Sequence, residues 1–226
     1  MVCQQKGQDD GRDEIKMMSF ANNTFAIIVL AAGQSSRLGQ MKQLININEQ
    51  SLVEWQLAQA LKVTSQVYCV LGFNASQVQA RIDHLPIKTI INSKFSDGMA
   101  SSIAIGVAGL ASDIKAVMIV LVDQWQLTSA DLIRHQGYWQ ANPHAIVVAQ
   151  DLRAVASNEK ENIGPPVIFS QDYFTELTQL TGQQGAKPLL AQYQHKLLKV
   201  PLAHAFIDID TPEQLKYMVK KLGINV

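Results

Sequence analysis

One stretch, residues 27–44 with the sequence IIVLAAGQSSRLGQMKQL, constrains the fold of this chain more than any other. It begins with an apolar run that is typical of a strand buried on both faces of a parallel sheet. The run ends in the small residues Ala-Ala-Gly at 31–33, which let the backbone turn sharply and approach a ligand closely. A polar loop with two cations, Arg37 and Lys42, follows. Loop amides and cations directly after a strand favour a polyanion site, such as one for a nucleoside triphosphate.

The standard phosphate-binding motifs do not fit this stretch. A P-loop requires G-x-x-x-x-G-K-[ST], but Gly33 and Gly39 are too far apart and Gln40 follows the second glycine. The dinucleotide fingerprint G-x-G-x-x-G is absent from this turn. An ordinary strand-to-helix loop with solvated cations is the alternative interpretation.

By pattern, the stretch resembles the signature L-A-x-G-x-S-x-R-[ML]-G-x-x-K of the nucleotidyltransferases of molybdenum cofactor biosynthesis. The resemblance implies catalytic roles for Arg37 and Lys42, which face the triphosphate. Family members with Leu-Ala-Ala-Gly tend to use CTP and those with Leu-Ala-Gly-Gly use GTP, so Ala32 favours CTP. The nucleotide-binding residues that the signature implies are Leu30, Ala31, Ala32, Gly33, Ser35, Ser36, Arg37, Gly39 and Lys42.

Composition limits the partners and the compartment. The 226 residues include 19 basic and 19 acidic side chains, which cancel, so nothing indicates nucleic acid or an anionic membrane as a partner. Two cysteines form no disulfide framework, and no apolar run is long enough to span a membrane, which together suit the cytoplasm. Residues 1–22 lack the apolar content to fold and are predicted to be a disordered extension. Residues 23–226 are predicted to form a single domain.

Strand and helix patterns alternate along the chain, which predicts parallel strands joined by helices. The resemblance implies the same fold class: a Rossmann-like three-layer α/β/α domain with a mostly parallel sheet, as in nucleotide-diphospho-sugar transferases. Helix starts are predicted at Ser51, Asn74, Thr128 and Thr211, each with a capping partner three residues later. Strands are predicted at 66–71, 88–92, 116–122, 145–149, 164–169, 197–202 and 205–208.

The segment 92–105 runs from a loop into a predicted helix. Gly98 and the small residues after it leave amides and hydroxyls free for a ligand, although a well-capped helix alone would explain them. The segment also resembles the family pattern N-x-x-[FW]-x-x-G-M-x-x-S, which contacts the base and ribose. The resemblance makes Asn92, Gly98 and Ser101 candidates for nucleotide binding.

Asp123 follows the strongest strand of the chain, where a carboxylate can hold a divalent cation against phosphates. Capping of a turn is the alternative use of such an aspartate. Asp123-Gln124 resembles the start of the family's Asp-Gln-Pro signature, and the chain departs from it at Trp125. Near the C-terminus, the run from Asp208 to Glu213 resembles Asp-Ile-Asp-Thr-Pro-Glu. The pattern favours Asp123 and Asp210 as ligands of Mg²⁺, with Asp208 as the less favoured choice.

The C-terminal half is expected to contact the second substrate. Residues 164–169 resemble the family's G-x-P-V-x-F, and residues 182–187 resemble Gly-Asp-x-Gly-Ala-Arg. Gln183 and Lys187 depart from the latter, and lysine keeps the charge of arginine but not its bidentate fork.

The resemblance implies transfer of CMP from CTP to the terminal phosphate of molybdopterin, with Mg²⁺ as cofactor and release of pyrophosphate. An already anionic phosphate attacks, so no general base is required, which agrees with five histidines that form no catalytic constellation. A molybdoenzyme or its chaperone is the protein partner that the resemblance suggests. Two alternatives stay open: a related transferase that uses GTP or another phosphorylated acceptor, and a catalytically weakened nucleotide-binding protein.

Overall fold

A seven-stranded sheet forms the centre of the computed structural model, which describes residues 24–47, 49–153 and 161–223. The predicted extension at residues 1–22 lies outside the described residues. The strands are β1 (Phe25–Ala31), β2 (Asn46–Ile47), β3 (Gln50–Ser51), β4 (Gln66–Leu71), β5 (Lys88–Ile91), β6 (Ala116–Leu121), β7 (Ile146–Gln150), β8 (Ile163–Ser170) and β9 (Leu197–Pro201). Their order in the large sheet is β5-β4-β1-β6-β8-β7-β9, and β2 pairs only with β3.

β1 occupies the middle of the sheet, in parallel register with β4 on one side and β6 on the other. All seven of its residues are buried. Alternate side chains enter different cores: Ile27 and Val29 pack on one face of the sheet, whereas Ile28 and Leu30 pack on the other. The continuous apolar run predicted this burial on both faces, and the prediction is confirmed.

Helices cover both faces of the sheet. They are α1 (Leu52–Leu61), α2 (Ala75–Ile82), α3 (Met99–Ala108), α4 (Ser129–Ala141), α5 (Phe174–Thr178), α6 (Lys187–Gln192) and α7 (Pro212–Leu222). Buried residues of α1, α2, α4 and α7 share one core, and those of α3, α5 and α6 share the other. The predicted three-layer α/β/α class with a mostly parallel sheet is therefore confirmed.

Three of the four predicted helix caps are present. The fourth, Asn74, lies in the left-handed region with φ 48° and makes no side-chain hydrogen bond to its helix. The predicted side-chain cap is therefore wrong: Asn74 adopts the left-handed conformation that asparagine tolerates, and its side chain bonds no amide of the helix. The reciprocal capping boxes join Ser51 with Glu54, Thr128 with Asp131 and Thr211 with Gln214.

The sheet departs from a uniform pattern on the side of the C-terminal half. β8 runs antiparallel to both β6 and β7, whereas β9 is parallel to β7. The strand predicted at 205–208 is wrong, because the chain forms a 3-10 turn at Ala203–Phe206 and then continues without regular structure to Thr211. The carbonyl of Ala205 accepts a hydrogen bond from the Gln124 side chain, 2.8 Å away, instead of joining a strand ladder.

Candidate functional site

The loop after β1 is held in a defined shape by local backbone geometry. Ser35 and Gly39 both have positive φ, at 56° and 76°. A turn closes through a hydrogen bond from the Leu38 amide to the Ser35 carbonyl, and the Ser35 hydroxyl accepts from the Lys42 amide at 3.3 Å. The glycine thus permits a conformation that side chains rarely adopt.

Gln43 fixes the beginning of this loop, and sequence reasoning missed it. Its side chain is fully buried and donates from Nε2 to the carbonyl oxygens of Ala31, at 2.8 Å, and Gly33, at 2.7 Å. A buried amide bonded to two carbonyls holds the backbone between them in one conformation. The sequence signal was slight: a polar residue next to Lys42, inside the short 3-10 turn Lys42–Leu44.

Four predicted residues from distant parts of the chain meet in one charge cluster, composed of Arg37, Lys42, Asp123 and Asp210. The Lys42 ammonium lies 2.5 Å from Asp123 Oδ2 and 2.8 Å from Asp210 Oδ1. Arg37 Nη2 lies 2.7 Å from Asp210 Oδ2. The first loop, the end of β6 and the turn before α7 therefore converge at one point of the sheet edge.

The electrostatics of the cluster favour the charged forms of Lys42 and Asp210. Burial alone would lower the pKa of Lys42, but the carboxylates of Asp123 and Asp210 outweigh burial and raise it above its ordinary value. Burial likewise opposes ionisation of Asp210, yet Lys42 and Arg37 hold the pKa of this carboxyl below its usual range. At Asp123, by contrast, burial raises the pKa of the carboxyl, and the Lys42 ammonium offsets this only in part.

Two cavities adjoin the charge cluster. The first, of about 440 Å³, is called the loop cavity; the β1 loop, the start of α3 and the end of β6 line it. The second, of about 450 Å³, is called the apolar cavity; α3, β6, β8, α6 and the turn at Ala203–Phe206 contribute to its walls. Four residues line both cavities: Leu30, Met99, Leu121 and Asp123. The two spaces therefore meet beside a carboxylate.

The predicted nucleotide-binding residues divide between the cavity wall and its surroundings. Asn92 and Ser101 are absent from the wall and are bonded to each other at 2.9 Å. Ser102 lines the cavity instead and accepts from the same Asn92 amide. The family pattern, counted from Asn92, puts its serine at 102, so a stricter count would have found this residue. The predicted residues that line the loop cavity are Leu30, Ala32, Gly33, Lys42, Gly98 and Asp123.

The remaining predicted residues lie near the loop cavity without lining it. Ala31 is the buried last residue of β1. The others belong to the loop that follows and are absent from the cavity wall: Ser35, Ser36, Arg37 and Gly39. Their roles as nucleotide ligands stay predictions.

Residues 182–187 connect the two cavities. The Gly182 carbonyl accepts from the Ala100 amide at 3.3 Å, and a Cβ at Gly98, whose φ is 109°, would lie only 2.5 Å from that carbonyl. Glycine is therefore required at 98 by both its backbone conformation and this close approach. Beyond it, Gln183 lines the loop cavity and Lys187 lines the apolar cavity.

Gln124 joins the strand that carries Asp123 to the walls of the apolar cavity. Its buried amide donates to the carbonyls of Pro165, at 2.7 Å, and Ala205, at 2.8 Å, and it accepts from the Leu121 amide at 3.0 Å. The unusual Trp125 that follows is buried in the core, where it packs without displacing this network.

The chemistry of the cluster fits a hard divalent cation such as Mg²⁺. Asp123 Oδ1 is buried and has no hydrogen-bond partner in the described part of the chain. Carboxylate oxygens are the protein ligands that Mg²⁺ prefers, and it normally keeps several water or phosphate ligands. Residues 24–47, 49–153 and 161–223 contain no group of three or more histidine, cysteine or acidic side chains arranged to hold a metal. Two carboxylates are thus what the protein would contribute.

Within the described ranges, no helix is both long enough and apolar enough to cross a bilayer.

Comparison with solved structures shows the fold. The protein Rv0371c from Mycobacterium tuberculosis superposes with a TM-score of 0.74 at 24% identity, over 88% of this chain and 99% of the other. A second structure of that protein, a complex with manganese, has a TM-score of 0.71 at 23% identity, over 88% of this chain and 99% of the other. The likeness to both structures shows that this chain shares their α/β fold.

The family follows from the sequence comparison. Residues 27–197 match the model of the MobA-like NTP transferase domain, and the chain belongs to that family. Among curated proteins it is similar to the molybdenum cofactor cytidylyltransferase of Escherichia coli, 22% identical over 187 residues, 82% of this chain and 91% of the relative. It is also similar to the nicotine blue oxidoreductase of Paenarthrobacter nicotinovorans, 37% identical over 100 residues, 43% of this chain and 48% of the relative.

Proposed function

We propose that this protein transfers CMP from CTP to the terminal phosphate of molybdopterin and releases pyrophosphate. The observation that carries the proposal is the charge cluster at the junction of two cavities of similar size. A bisubstrate transfer needs both substrates to reach one reacting centre, and Asp123 lines both spaces. In this assignment CTP takes the loop cavity and the acceptor takes the apolar cavity.

The chain's own residues supply positioning and charge. An anionic acceptor phosphate attacks the α-phosphorus in line, a new P–O bond forms, and the bond to the pyrophosphate leaving group breaks. Lys42 and Arg37 neutralise the triphosphate, and the loop held by Gln43 presents its amides to phosphate oxygens. Asp123 and Asp210 would hold Mg²⁺, which neutralises phosphate charge when it is bound.

The choice of CTP is supported by Ala32 and by the relatives. Ala32 lines the loop cavity, where its methyl group leaves less room beside the base than a glycine would. Family members with this alanine tend to use CTP, and one curated relative is a cytidylyltransferase by name.

A second candidate is nucleotidyl transfer to a different phosphorylated acceptor. The walls of the apolar cavity are dominated by side chains such as Ile103, Val167 and Phe169. Among the described residues that line it, Lys187 is the one basic side chain. Such a space suits an acceptor with an apolar body and a single phosphate, and molybdopterin is more polar than that.

The decisive experiment is pyrophosphate release measured with each of the four NTPs, with and without molybdopterin, at constant Mg²⁺. We expect release that requires both CTP and molybdopterin. Release with CTP and another phosphorylated acceptor only would favour the second candidate. Nucleotide binding without release under any pairing would favour the weakened nucleotide-binding protein that Trp125, Gln183 and Lys187 suggest.

A further inference from the structure

The ammonium group of Lys42 lies between the two carboxylates that the proposed function assigns to the metal. We infer that Lys42 acts as an internal counter-cation that blocks the metal site until a triphosphate draws it away, so that metal binds together with nucleotide. This inference rests on the proposed metal-dependent transfer and concerns the regulation of that same site.

The contacts leave little of the carboxylates free. Of their four oxygens, three are already in ion pairs: Asp123 Oδ2 and Asp210 Oδ1 with Lys42, and Asp210 Oδ2 with Arg37. The fourth, Asp123 Oδ1, is buried and unpartnered within the described residues. A divalent cation that used this oxygen would come close to the ammonium, and two cations in a poorly solvated place repel each other.

The net charge of the cluster also disfavours a divalent ion that binds without a triphosphate. Two cations and two carboxylates cancel within the charge cluster, and the Asp208 carboxylate acts on Asp123 from nearby. A divalent ion that arrives alone therefore still brings at least one uncompensated positive charge. A triphosphate supplies the missing negative charge and offers the displaced cations new partners. Lys42 can make this exchange because it lines the loop cavity and its ammonium is carried on a flexible four-carbon stem.

The two cations of the cluster should differ in this role. Lys42 contacts both carboxylates with a side chain that is 12% exposed, whereas Arg37 contacts only Asp210 and is 74% exposed. An exposed ion pair is weak because water and salt screen it. Lys42 should therefore account for most of the block.

The test uses Mn²⁺ as the probe and measures binding by calorimetry or by the electron paramagnetic resonance signal of the free ion. Lys42→Met removes the charge and retains much of the side-chain length. Without any anion, this variant should bind Mn²⁺ at least about tenfold more tightly than the wild type, and Arg37→Met by less. Without metal, Lys42→Met should bind CTP about tenfold more weakly. A purely structural role would not move the two affinities in opposite directions.

Controls keep the result interpretable. Lys62→Met, at an exposed lysine after α1, should leave both affinities unchanged. The wild type itself should bind Mn²⁺ at least about tenfold more tightly when inorganic triphosphate is present, after correction for the Mn²⁺–triphosphate complex in solution. This arm decides the question even if Lys42→Met does not fold.

Two results would overturn the inference: equal Mn²⁺ affinity of folded Lys42→Met and wild type, or no effect of triphosphate on the wild type. Neither result bears on the proposed function, which is judged by pyrophosphate release from wild-type protein. A wild type that shows the expected metal coupling but releases no pyrophosphate would refute the function and leave the coupling intact.

Discussion

The loop cavity and the apolar cavity share a carboxylate but are built in opposite ways. Most of the polar wall of the loop cavity comes from one short stretch, between Leu30 and Gln43, and from the start of α3. The apolar cavity draws on β6, β8, α3, α6 and a turn near Ala205. The difference teaches that most of the polar wall of the loop cavity is encoded locally, whereas the apolar cavity exists only once distant segments have packed.

The two regions also differ in how their backbone is held. Gln43 fixes the β1 loop through carbonyls that lie 12 and 10 residues away along the chain. Gln124 fixes the apolar cavity through carbonyls that lie 41 and 81 residues away. A substitution in the loop that Gln43 holds should therefore alter the binding of nucleotide and metal. A substitution in the walls that Gln124 holds should alter acceptor binding or the stability of the fold.

The largest effect on turnover is expected at Asp123, the carboxylate that lines both cavities. Asp123→Asn removes a negative charge from the cluster while keeping its shape, and turnover should fall by about 10²-fold or more, because a metal-facing charge would be lost at the reacting centre. The measurement is the steady-state rate at saturating CTP and acceptor with fixed Mg²⁺. Asp113→Asn, at an exposed aspartate, is the matched control. Wild-type activity of Asp123→Asn would remove this residue from the mechanism.

Next come the two cations on the loop side. Lys42→Ala and Arg37→Ala each delete a charge-assisted contact worth about 1.5–3 kcal/mol, so affinity for CTP should fall by roughly tenfold or more. Lys42 should show the larger loss because it is buried in the cluster and Arg37 is exposed. Acceptor affinity should change little. Wild-type CTP affinity in both variants, measured by calorimetry, would place the triphosphate elsewhere.

Low pH should reduce the stability of the fold through His135, which is buried on α4 against β7 and β8. Burial lowers the pKa of His135 to about 4, and nearby backbone groups of Val147 and Pro166 offset this only in part. The unfolded chain, with a pKa of about 6.5, binds the proton more readily, so stability is full above pH 6.5 and falls progressively toward pH 4. By pH 5 the loss is about 2 kcal/mol.

His135→Leu should abolish this acid-dependent loss while it keeps the site filled. The measurement is the free energy of unfolding in urea at pH 7 and pH 5 for both proteins. Equal differences between the two pH values in wild type and variant would show that another group titrates.

Base preference tests the loop cavity more finely. If Ala32 narrows the space beside the base, Ala32→Gly should reduce the preference for CTP over GTP by about fivefold, or about 1 kcal/mol, at the low end of what one methyl group is worth. Other residues of the cavity wall, such as Ser102, would retain the rest of the discrimination. The measured quantity is the ratio of kcat/KM for the two nucleotides. A wild-type preference for GTP would refute the assignment to CTP.

The smallest effect is expected at Lys187, on the acceptor side. Its side chain is exposed, so water and salt screen its attraction for a phosphate, and Lys187→Ala should raise the KM for the acceptor only a few-fold. The affinity for CTP should stay unchanged, and Lys220→Ala on α7 serves as the control. A loss of CTP affinity in Lys187→Ala would show that the two cavities do not separate the substrates as proposed.

The sequence by itself determined the fold class and the elements that carry the charge cluster. The apolar run of β1 can only be a strand buried on both sides, and capping boxes at Ser51, Thr128 and Thr211 specify helix starts through bonds made within four residues. Asp123 was predictable as a site residue because it follows β6 at the carboxyl edge of the sheet, and Asp210 because it directly precedes the capped start of α7. These features depend on local patterns, which a sequence displays directly.

Tertiary structure alone decided the rest. The reversal of β8 and the turn that replaced a strand at 205–208 both depend on contacts across tens of residues. Gln43 and Gln124 look unremarkable in the sequence because their partners are backbone carbonyls, which every residue possesses. Only packing selects which carbonyls lie within reach of a buried amide. The apolar cavity is therefore a property of the folded chain, whereas the loop after β1 can be recognised in the sequence itself.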